Sequence, residues 1–213
     1  MKLAQIWRYP VKSMAGERLA AAELRKDGIE GDRVVQVWDE RNRMLTARTH
    51  PRLLAHRATI GEDGEPRVDG LAWADPEVTR RVEAAAGRGA RLRRYEGVER
   101  FDVQPLLVAT DGSLAAFGRD ARRLRPNLVI SGVEGLAERE WEGRALRAGR
   151  ALIGLADLRG RCVMTTWDPD TQAQDVGVLR DIARRFDGRL CLNAAILEPG
   201  RIEVGDAVEL VGA

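Results

Sequence analysis

Short apolar or alternating segments recur along the chain and predict a protein built mainly from strands. Apolar and polar residues alternate roughly from Leu3 to Arg8, which is typical of a strand, and Pro10 removes a backbone donor beyond it. Turns rich in Gly, Pro and Asp separate the later segments. In the first half we predict strands at residues 3–8, 19–24, 34–38, 44–48 and 53–60.

The second half continues the strand pattern. Residues 105–109 form a short, continuously apolar run, which is typical of a buried strand. A break at 125–127 precedes another apolar segment, and turns at 199–200 and 205–206 surround a final strand pair. The strands predicted for this half are 105–109, 128–130, 145–149, 151–155, 190–196 and 207–211.

Helix signals are confined to three longer segments. Each follows a residue whose side chain can cap the first turn, and the last carries an apolar stripe at helical spacing. The predicted helices are 76–86 after the capping residue Asp75, 114–123 after the capping segment Thr110-Asp111-Gly112-Ser113, and 176–186 after the capping residue Asp175. A short helical turn is predicted at 134–142.

Many short strands with few helices predict a mostly β protein with flanking helices, an α+β fold centred on a mixed β-barrel. A doubly wound sheet would need helices alternating with the strands. Residues 88–97 are polar and contain glycine, so we place a boundary there. The expected organisation is an N-terminal β subdomain at 1–90 and a second domain at 91–213.

Composition and charge narrow the classes of partner. Of the 213 residues, 44% are hydrophobic and 32% are charged, which is typical of a globular protein. The formal net charge of +2 is too small to indicate nucleic acid by itself. Lys2, Lys12 and Lys26 are the only lysines, so nearly all basic groups are arginines, whose planar fork suits phosphate. The arginine-rich basic groups are compatible with an anionic ligand, and the small net charge predicts no nucleic-acid partner.

The chain carries no sign of secretion or membrane insertion. No apolar run approaches the length of a membrane span, and the N-terminal residues read as a strand rather than a signal peptide. Two cysteines in a chain of this size do not form a disulfide framework. We therefore expect a protein of the reducing cytoplasm, without a membrane partner.

The stretch 161–170 carries the most chemistry. Cys162 follows Arg161 directly and lies three residues after Arg159, and nearby positive charge stabilises the reactive thiolate. A cysteine on an apolar strand is often only a small buried hydrophobe, so both interpretations remain open for Cys162. Cys191 lies in an apolar run and is expected in the core.

Several motifs, in this order and spacing, resemble the MOSC family, named after the C-terminal domain of molybdenum cofactor sulfurases. The resemblance covers almost the whole chain. In the first half it rests on Tyr9-Pro10-Val11-Lys12-Ser13, Gly31-Asp32-Arg33 and Leu45-Thr46-Ala47-Arg48 with Pro51-Arg52-Leu53. In the second half it rests on Arg125-Pro126-Asn127-Leu128-Val129-Ile130, Trp141, Arg161-Cys162-Val163-Met164-Thr165-Thr166 with Asp168-Pro169, and Ile202 with Val204-Gly205-Asp206.

The resemblance implies a fold and an activity. The two-domain arrangement is similar to that of the mitochondrial amidoxime-reducing component and its bacterial relatives, which bind a molybdenum cofactor and reduce N-hydroxylated compounds. It implies a closed mixed β-barrel of the pyruvate-kinase type and Mo-molybdopterin as cofactor. The substrate is then a small molecule. Electrons come from an external ferredoxin- or flavoprotein-type reductase, because the chain has no ferredoxin domain.

The same resemblance assigns residues. Cys162 matches the metal ligand at the catalytic centre, and Asp168 is a second catalytic candidate that could tune protonation of the substrate. An Asp-Pro turn explains Asp168 more simply, and plain capping is the better explanation of Thr110 and Ser113. The residues that the family-like motifs place at the cofactor are Lys12, Ser13, Arg33, Arg125, Asn127, Arg161 and Thr165. Thr110 and Ser113 are added as cofactor-binding candidates because they flank a helix start, which is a natural anion site.

Other functions remain open at this stage. Cys162 could carry a persulfide and deliver sulfur to the metal centre of another enzyme, or the protein could carry the cofactor without turnover. A nucleic-acid-binding barrel is disfavoured, because the basic segments around Asp39 and Arg184 mix both signs of charge.

Overall fold

The computed structural model describes residues 1–95 and 97–212 and has a mostly β fold with three α-helices. The strands of the first half are β1 Lys2–Arg8, β2 Glu17–Leu19, β3 Ala21–Arg25, β4 Gly28–Ile29, β5 Val35–Trp38, β6 Met44–Leu45, β7 Ala58–Ile60, β8 Pro66–Val68, β9 Leu71–Ala72 and β10 Arg91–Arg94. Those of the second half are β11 Leu106–Thr110, β12 Leu128–Ser131, β13 Ala145–Ala148, β14 Ala151–Gly160, β15 Arg189–Glu198, β16 Gly200–Glu203 and β17 Val208–Val211. The α-helices are α1 Pro76–Ala86, α2 Asp111–Phe117 and α3 Val176–Phe186, and short 3-10 helices lie at Pro51–Ala55, Val98–Arg100, Ala121–Arg123, Ala137–Glu140 and Val163–Thr166.

A mixed sheet of eight strands forms the centre of the fold, in the order β17-β13-β14-β15-β11-β12-β1-β2. Only the β11–β12 pair is parallel within this sheet. Its apolar core is built from fully buried side chains such as Leu3, Ile6, Val108 and Leu192. The predicted fold class, mostly β with flanking helices, is confirmed.

The expected closed barrel is not formed. The two edges of the sheet are β17 and β2, and β2 has only three residues. The segment around the start of β17 contacts the start of β1 through an isolated Lys2–Ala207 bridge and three backbone hydrogen bonds of 2.8–3.0 Å. One bridge does not make a ladder, so the sheet remains open. The predicted final strand pair is also wrong, since β16 pairs with β3 and β17 pairs with β13.

The first half adds small three-stranded sheets around a second core. One has the order β10-β5-β6 and another β7-β8-β9, and α1 packs beside them with buried Val78 and Val82. The predicted strand at 53–60 is only partly right. Its first residues belong to a 3-10 helix, because Pro51 favours a first helical turn and the turn buries Leu53 and Leu54.

Helix ends follow the capping residues. The Asp75 carboxylate accepts from the Glu77 N–H at 2.7 Å, and α1 ends at Gly87 as predicted. The helix predicted at 114–123 is interrupted, because Gly118 takes a left-handed conformation with φ 67°. A separate 3-10 turn then begins after Asp120.

The two halves of the chain exchange strands. β1 joins β12 in the main sheet, and β3 pairs with β16 in a further small sheet. The boundary expected between 90 and 91 stays a prediction, and β10 pairs with β5 of the first half. This exchange brings the loop after β1 and the turn before β5 against the second half of the chain.

Candidate functional site

A cleft between the two halves gathers most of the predicted site residues, and we call it the cysteine cleft. The loop after β1, the turn before β5, the segment before β12 and the end of β14 all contribute to it. The predicted residues that line it are Lys12, Ser13, Arg33, Arg125, Asn127, Arg161 and Cys162, and other lining residues include Arg48, Asp102, Arg123, Arg159, Met164 and Asn193.

Cys162 lies where β14 gives way to a 3-10 helix. It is half-buried, and its carbonyl accepts hydrogen bonds from the Thr165 N–H and hydroxyl at 3.0 and 2.9 Å. The neighbouring Arg161 donates to the Leu124 carbonyl at 2.7 Å, while its buried Nε has no acceptor among the described residues. Burial lowers the pKa of Arg161. The cleft thus presents one accessible thiol beside a guanidinium with unused hydrogen-bonding capacity.

The Asp102 carboxylate lies among the cations that line the cysteine cleft. The Lys12 ammonium contacts the Asp102 carboxylate at 2.8 Å and also donates to the Arg100 carbonyl at 2.8 Å. Arg48 and Arg159 approach the same carboxylate at 2.8 and 3.6 Å. Burial lowers the pKa of Lys12. Burial alone would raise the pKa of Asp102, but the surrounding cations, Lys12 foremost, hold it below its usual value.

A buried network ties the cleft to both halves. The fully buried Asp32 accepts from the Tyr9 N–H at 2.7 Å and from the Asn127 amide at 3.3 Å, and it pairs with Arg33. The Tyr9 hydroxyl donates to the Pro126 carbonyl at 3.1 Å, and burial raises its pKa to about 12. Asn127 is therefore engaged in structure as well as placed at the cleft.

Arg125 differs from its neighbours because no acceptor holds its guanidinium within residues 1–95 and 97–212. Its Cζ lies 4.2 Å from the centre of the Tyr9 ring, and that of Arg33 lies 5.1 Å from it. Burial lowers the pKa of Arg125 to about 10, so it remains charged at neutral pH. The ring faces support the cations and leave the N–H groups of Arg125 open to an anion.

Three of the predicted cofactor residues have left-handed backbones. Their φ angles are 72° at Ser13 and 56° at Arg33 and Arg125, although none is glycine. Such conformations cost about 1–2 kcal/mol per residue and are concentrated at functional sites. The Ser13 hydroxyl also accepts from the Ala47 N–H at 3.0 Å, which fixes the loop.

Four predicted residues lie elsewhere. Thr110 and Ser113 form a reciprocal capping box at the start of α2 and are fully buried away from the cleft. Thr165 is buried and holds the Cys162 backbone. Asp168 organises a turn by accepting from the Thr171 N–H at 2.9 Å, and it pairs with Arg123 at 2.8 Å. Local bonding thus accounts for these polar groups.

The sequence reasoning missed Asp102, which meets three cations in the cleft. Nothing local marks it, because Lys12, Arg48 and Arg159 come from distant parts of the chain. Arg48 lies inside one of the family-like motifs, so that motif was a usable signal. Cys191 is buried in the core as expected, and desolvation raises its pKa to about 12.

The described residues contain neither a cluster of metal-ligating side chains nor a helix that could span a membrane. Across residues 1–95 and 97–212, no three His, Cys, Asp or Glu side chains gather as a group able to hold a metal ion. Within the same residues, no helix combines the length and apolarity that crossing a membrane requires.

Comparisons with known proteins agree with the motifs. Residues 1–114 match the MOSC N-terminal beta barrel domain, and residues 104–209 match the MOSC domain. Mitochondrial amidoxime-reducing component 1 of Mus musculus is 27% identical over 99% of this chain and 82% of its own length, and that of Homo sapiens is 27% identical over 99% and 83%. The YuaD protein from Bacillus subtilis, 12% identical, has the same fold with a TM-score of 0.55, covering 100% of this chain and 96% of its own.

Proposed function

Because the chain belongs to the MOSC family, with a MOSC N-terminal beta barrel domain followed by a MOSC domain, we propose that it binds a molybdenum cofactor in the cysteine cleft and reduces N-hydroxylated small molecules. The MOSC family is associated with the molybdenum cofactor, and the relatives reported above are named for amidoxime reduction. The observation that carries the proposal is the half-buried thiol of Cys162, which shares one cleft with the cations Lys12, Arg33 and Arg125.

The residues present fit such a cofactor. A pterin dithiolene brings two sulfur donors of its own, so the protein needs to add only one soft ligand, and Cys162 is the thiol that lines the cleft. The unsatisfied Nε of Arg161 and the open guanidinium of Arg125 can donate to an anionic group. Lys12 and Arg33 add charge from the first half of the chain.

Each residue then has a defined task. When bound, the cofactor supplies the two-electron chemistry that cleavage of an N–O bond requires. Lys12, Arg33 and Arg125 would hold the phosphate, and Cys162, beside the Arg161 guanidinium, would supply the sulfur ligand to the metal. Reduction of an amidoxime consumes two electrons and two protons and yields an amidine and water. The electrons come from an external donor protein.

Metal content tests the proposal directly. We expect about one molybdenum per chain when the protein is produced in a host that makes the cofactor. Cys162→Ser removes the thiol and should lose the metal, whereas Cys191→Ser alters a cysteine outside the cleft and should keep it. Elemental analysis of purified proteins measures both. Wild-type protein without molybdenum would contradict the proposal.

Activity separates a reductase from a carrier. Chemically reduced, molybdenum-loaded protein should convert benzamidoxime to benzamidine, and Cys162→Ser should lose at least about 100-fold in rate. Loaded protein that releases no amidine would instead be a cofactor carrier. A cyanide-labile sulfur on Cys162 would favour sulfur transfer, because a persulfide gives up its outer sulfur to cyanide.

A further inference from the structure

A second cleft adjoins the cysteine cleft and carries an unusual excess of positive charge. We call it the arginine cleft, after Arg18, Arg57, Arg122, Arg123 and Arg125, which line it. Its volume is about 510 Å³, enough for a small organic molecule. Asp170 is the one acidic residue among those that line it, and it is already paired with Arg122 at 2.6 Å.

Three of these arginines hold no acceptor. Within residues 1–95 and 97–212, the side chains of Arg18, Arg57 and Arg125 make no hydrogen bond or ion pair. Arg122 and Arg123, by contrast, are bound to Asp120, Asp170 and Asp168. In the cysteine cleft, Asp102 partly neutralises the cations, and Asp32 and Asp102 also attract Arg125, but among the described residues no carboxylate pairs with Arg18 or Arg57. The arginine cleft therefore has an uncompensated attraction for anions.

Aromatic rings form much of the remaining wall. Trp7 and Tyr9 stack with ring centres 6.4 Å apart, and Trp167 lines the cleft as well. Arg18 lies 5.9 Å from the Trp7 ring and Arg125 lies 4.2 Å from the Tyr9 ring. Flat apolar surfaces beside open guanidinium groups suit a planar molecule that bears a negative group.

The cleft reaches the proposed reaction centre. Arg123, Arg125 and Met164 line both clefts, and Met164 follows Cys162 by two residues in the same 3-10 segment. A planar ligand in the arginine cleft can therefore direct one end towards Cys162 while its far end meets Arg18 and Arg57. This is the arrangement required of a substrate pocket that opens beside a metal ligand.

We propose that the arginine cleft binds planar anionic molecules and is the substrate pocket of the reductase. The substrate class is then an aromatic N-hydroxylated compound bearing a carboxylate or phosphate-like group. The assignment of N-hydroxylated substrates rests on the proposed function. The prediction that the arginine cleft binds anions does not. Arg18 and Arg57 recognise the anion, the tryptophans cover the ring, and the N–OH group lies towards Cys162.

Binding of matched probes tests the proposal. Titration calorimetry on the full chain would compare benzamidoxime with its 4-carboxy and 4-phosphono derivatives, in protein with and without molybdenum cofactor. We expect at least about tenfold tighter binding of an anionic probe than of the neutral one at low salt, with a smaller advantage at high salt. The probe that binds tighter identifies the preferred anionic group.

Variants locate the binding site. Arg18→Gln and Arg57→Gln should each weaken the anionic probes about three- to tenfold and leave benzamidoxime unchanged. Arg88→Gln is the matched control, because Arg88 is also exposed and lines neither cleft. In loaded protein the same two variants should raise KM for the anionic substrate without lowering kcat.

Several results would overturn the proposal. Equal affinity for neutral and anionic probes would do so, and so would binding that neither Arg18→Gln nor Arg57→Gln weakens. Loss of probe binding on cofactor loading would assign the cleft to the cofactor instead. Protein that takes up no molybdenum yet binds the anions through Arg18 and Arg57 would contradict the reductase function. It would still support the anion-binding site.

Discussion

Arg123 and Arg125 lie two positions apart but have different roles in the structure. Arg123 donates to the Thr165 and Thr166 carbonyls at 3.3 and 3.0 Å and pairs with Asp168 at 2.8 Å. Among the described residues Arg125 has no acceptor, and its backbone is left-handed with φ 56°. Arg123 therefore stabilises the segment after Cys162, whereas Arg125 carries a cost that folding alone does not explain.

The contrast gives a prediction for stability. Arg125→Asn places a residue that tolerates the left-handed region and removes a poorly solvated charge, so we expect unfolding free energy within about 1 kcal/mol of wild type. Arg123→Asn leaves two carbonyls and a carboxylate without their charged donor and should lose about 2 kcal/mol. Urea unfolding measures both, and a loss at Arg125 as large as that at Arg123 would contradict the assignment.

The site residues were predictable only where a motif or a local rule marked them. Lys12, Arg33 and Cys162 came from motifs that resemble a known family, and they meet in one cleft. Thr110 was predicted as part of an anion site at a helix start and Asp168 as a group that tunes protonation, but local hydrogen bonds account for both. The contacts of Asp102 join residues far apart in sequence, and no nearby pattern encodes such contacts.

At the scale of elements, helix ends were predicted better than strand partners. The bounds of α1 and α3 followed from Asp75, Gly87 and Asp175, because a cap is a bond between residues two or three apart. The strand predicted at 53–60 was right only for its last residues, because burial of Leu53 and Leu54 against the first-half core places its first residues in a 3-10 helix. The closed barrel was also predicted wrongly, because closure requires a ladder between segments far apart in sequence, and only an isolated bridge joins residues 2 and 207.

The capping box of α2 makes a pH-dependent contact with another element. Glu138 of the 3-10 helix Ala137–Glu140 is fully buried and accepts from the Thr110 hydroxyl at 3.1 Å, while its Oε1 has no partner among the described residues. Burial raises the pKa of Glu138. The stabilising contribution of the neutral acid is therefore full below the unfolded pKa and is lost as pH rises through the folded pKa.

Glu138→Gln tests this contact. Glutamine is neutral at every pH and can still accept from Thr110, so we expect the variant to melt a few degrees above wild type near pH 8. The difference should shrink as pH falls towards 4, where wild-type Glu138 is neutral as well. Thermal melts from pH 4 to 8 provide the measurement, and a difference independent of pH would contradict the account.

For the whole molecule, the exchange of strands makes the halves mutually dependent. β1 supplies Leu3 and Ile6 to the core of the main sheet, although the other strands of that sheet apart from β2 come from the second half. The cysteine cleft likewise takes Lys12 and Arg33 from the first half and Cys162 from the second. The site and the sheet therefore form together or not at all.

A fragment tests this dependence. Residues 91–213 alone would expose the edge of β12 and leave the core without β1, so we expect no cooperative urea transition and a tendency to aggregate. The control is fragment 1–90 added as a separate chain. It supplies the missing strands without the covalent link, so it should restore the solubility of residues 91–213. A soluble 91–213 monomer that unfolds cooperatively by itself would contradict the prediction.

The place of β1 in the sheet also has a consequence for synthesis. β1 is synthesised before its partner β12, which begins about 120 residues later in the chain. At about 5–20 residues per second, that interval is about 6 to 24 seconds. During this time β1 can pair only with β2, and its other edge stays open to other nascent chains or to chaperones. Slow or paused translation before residue 128 should therefore lower the yield of folded protein.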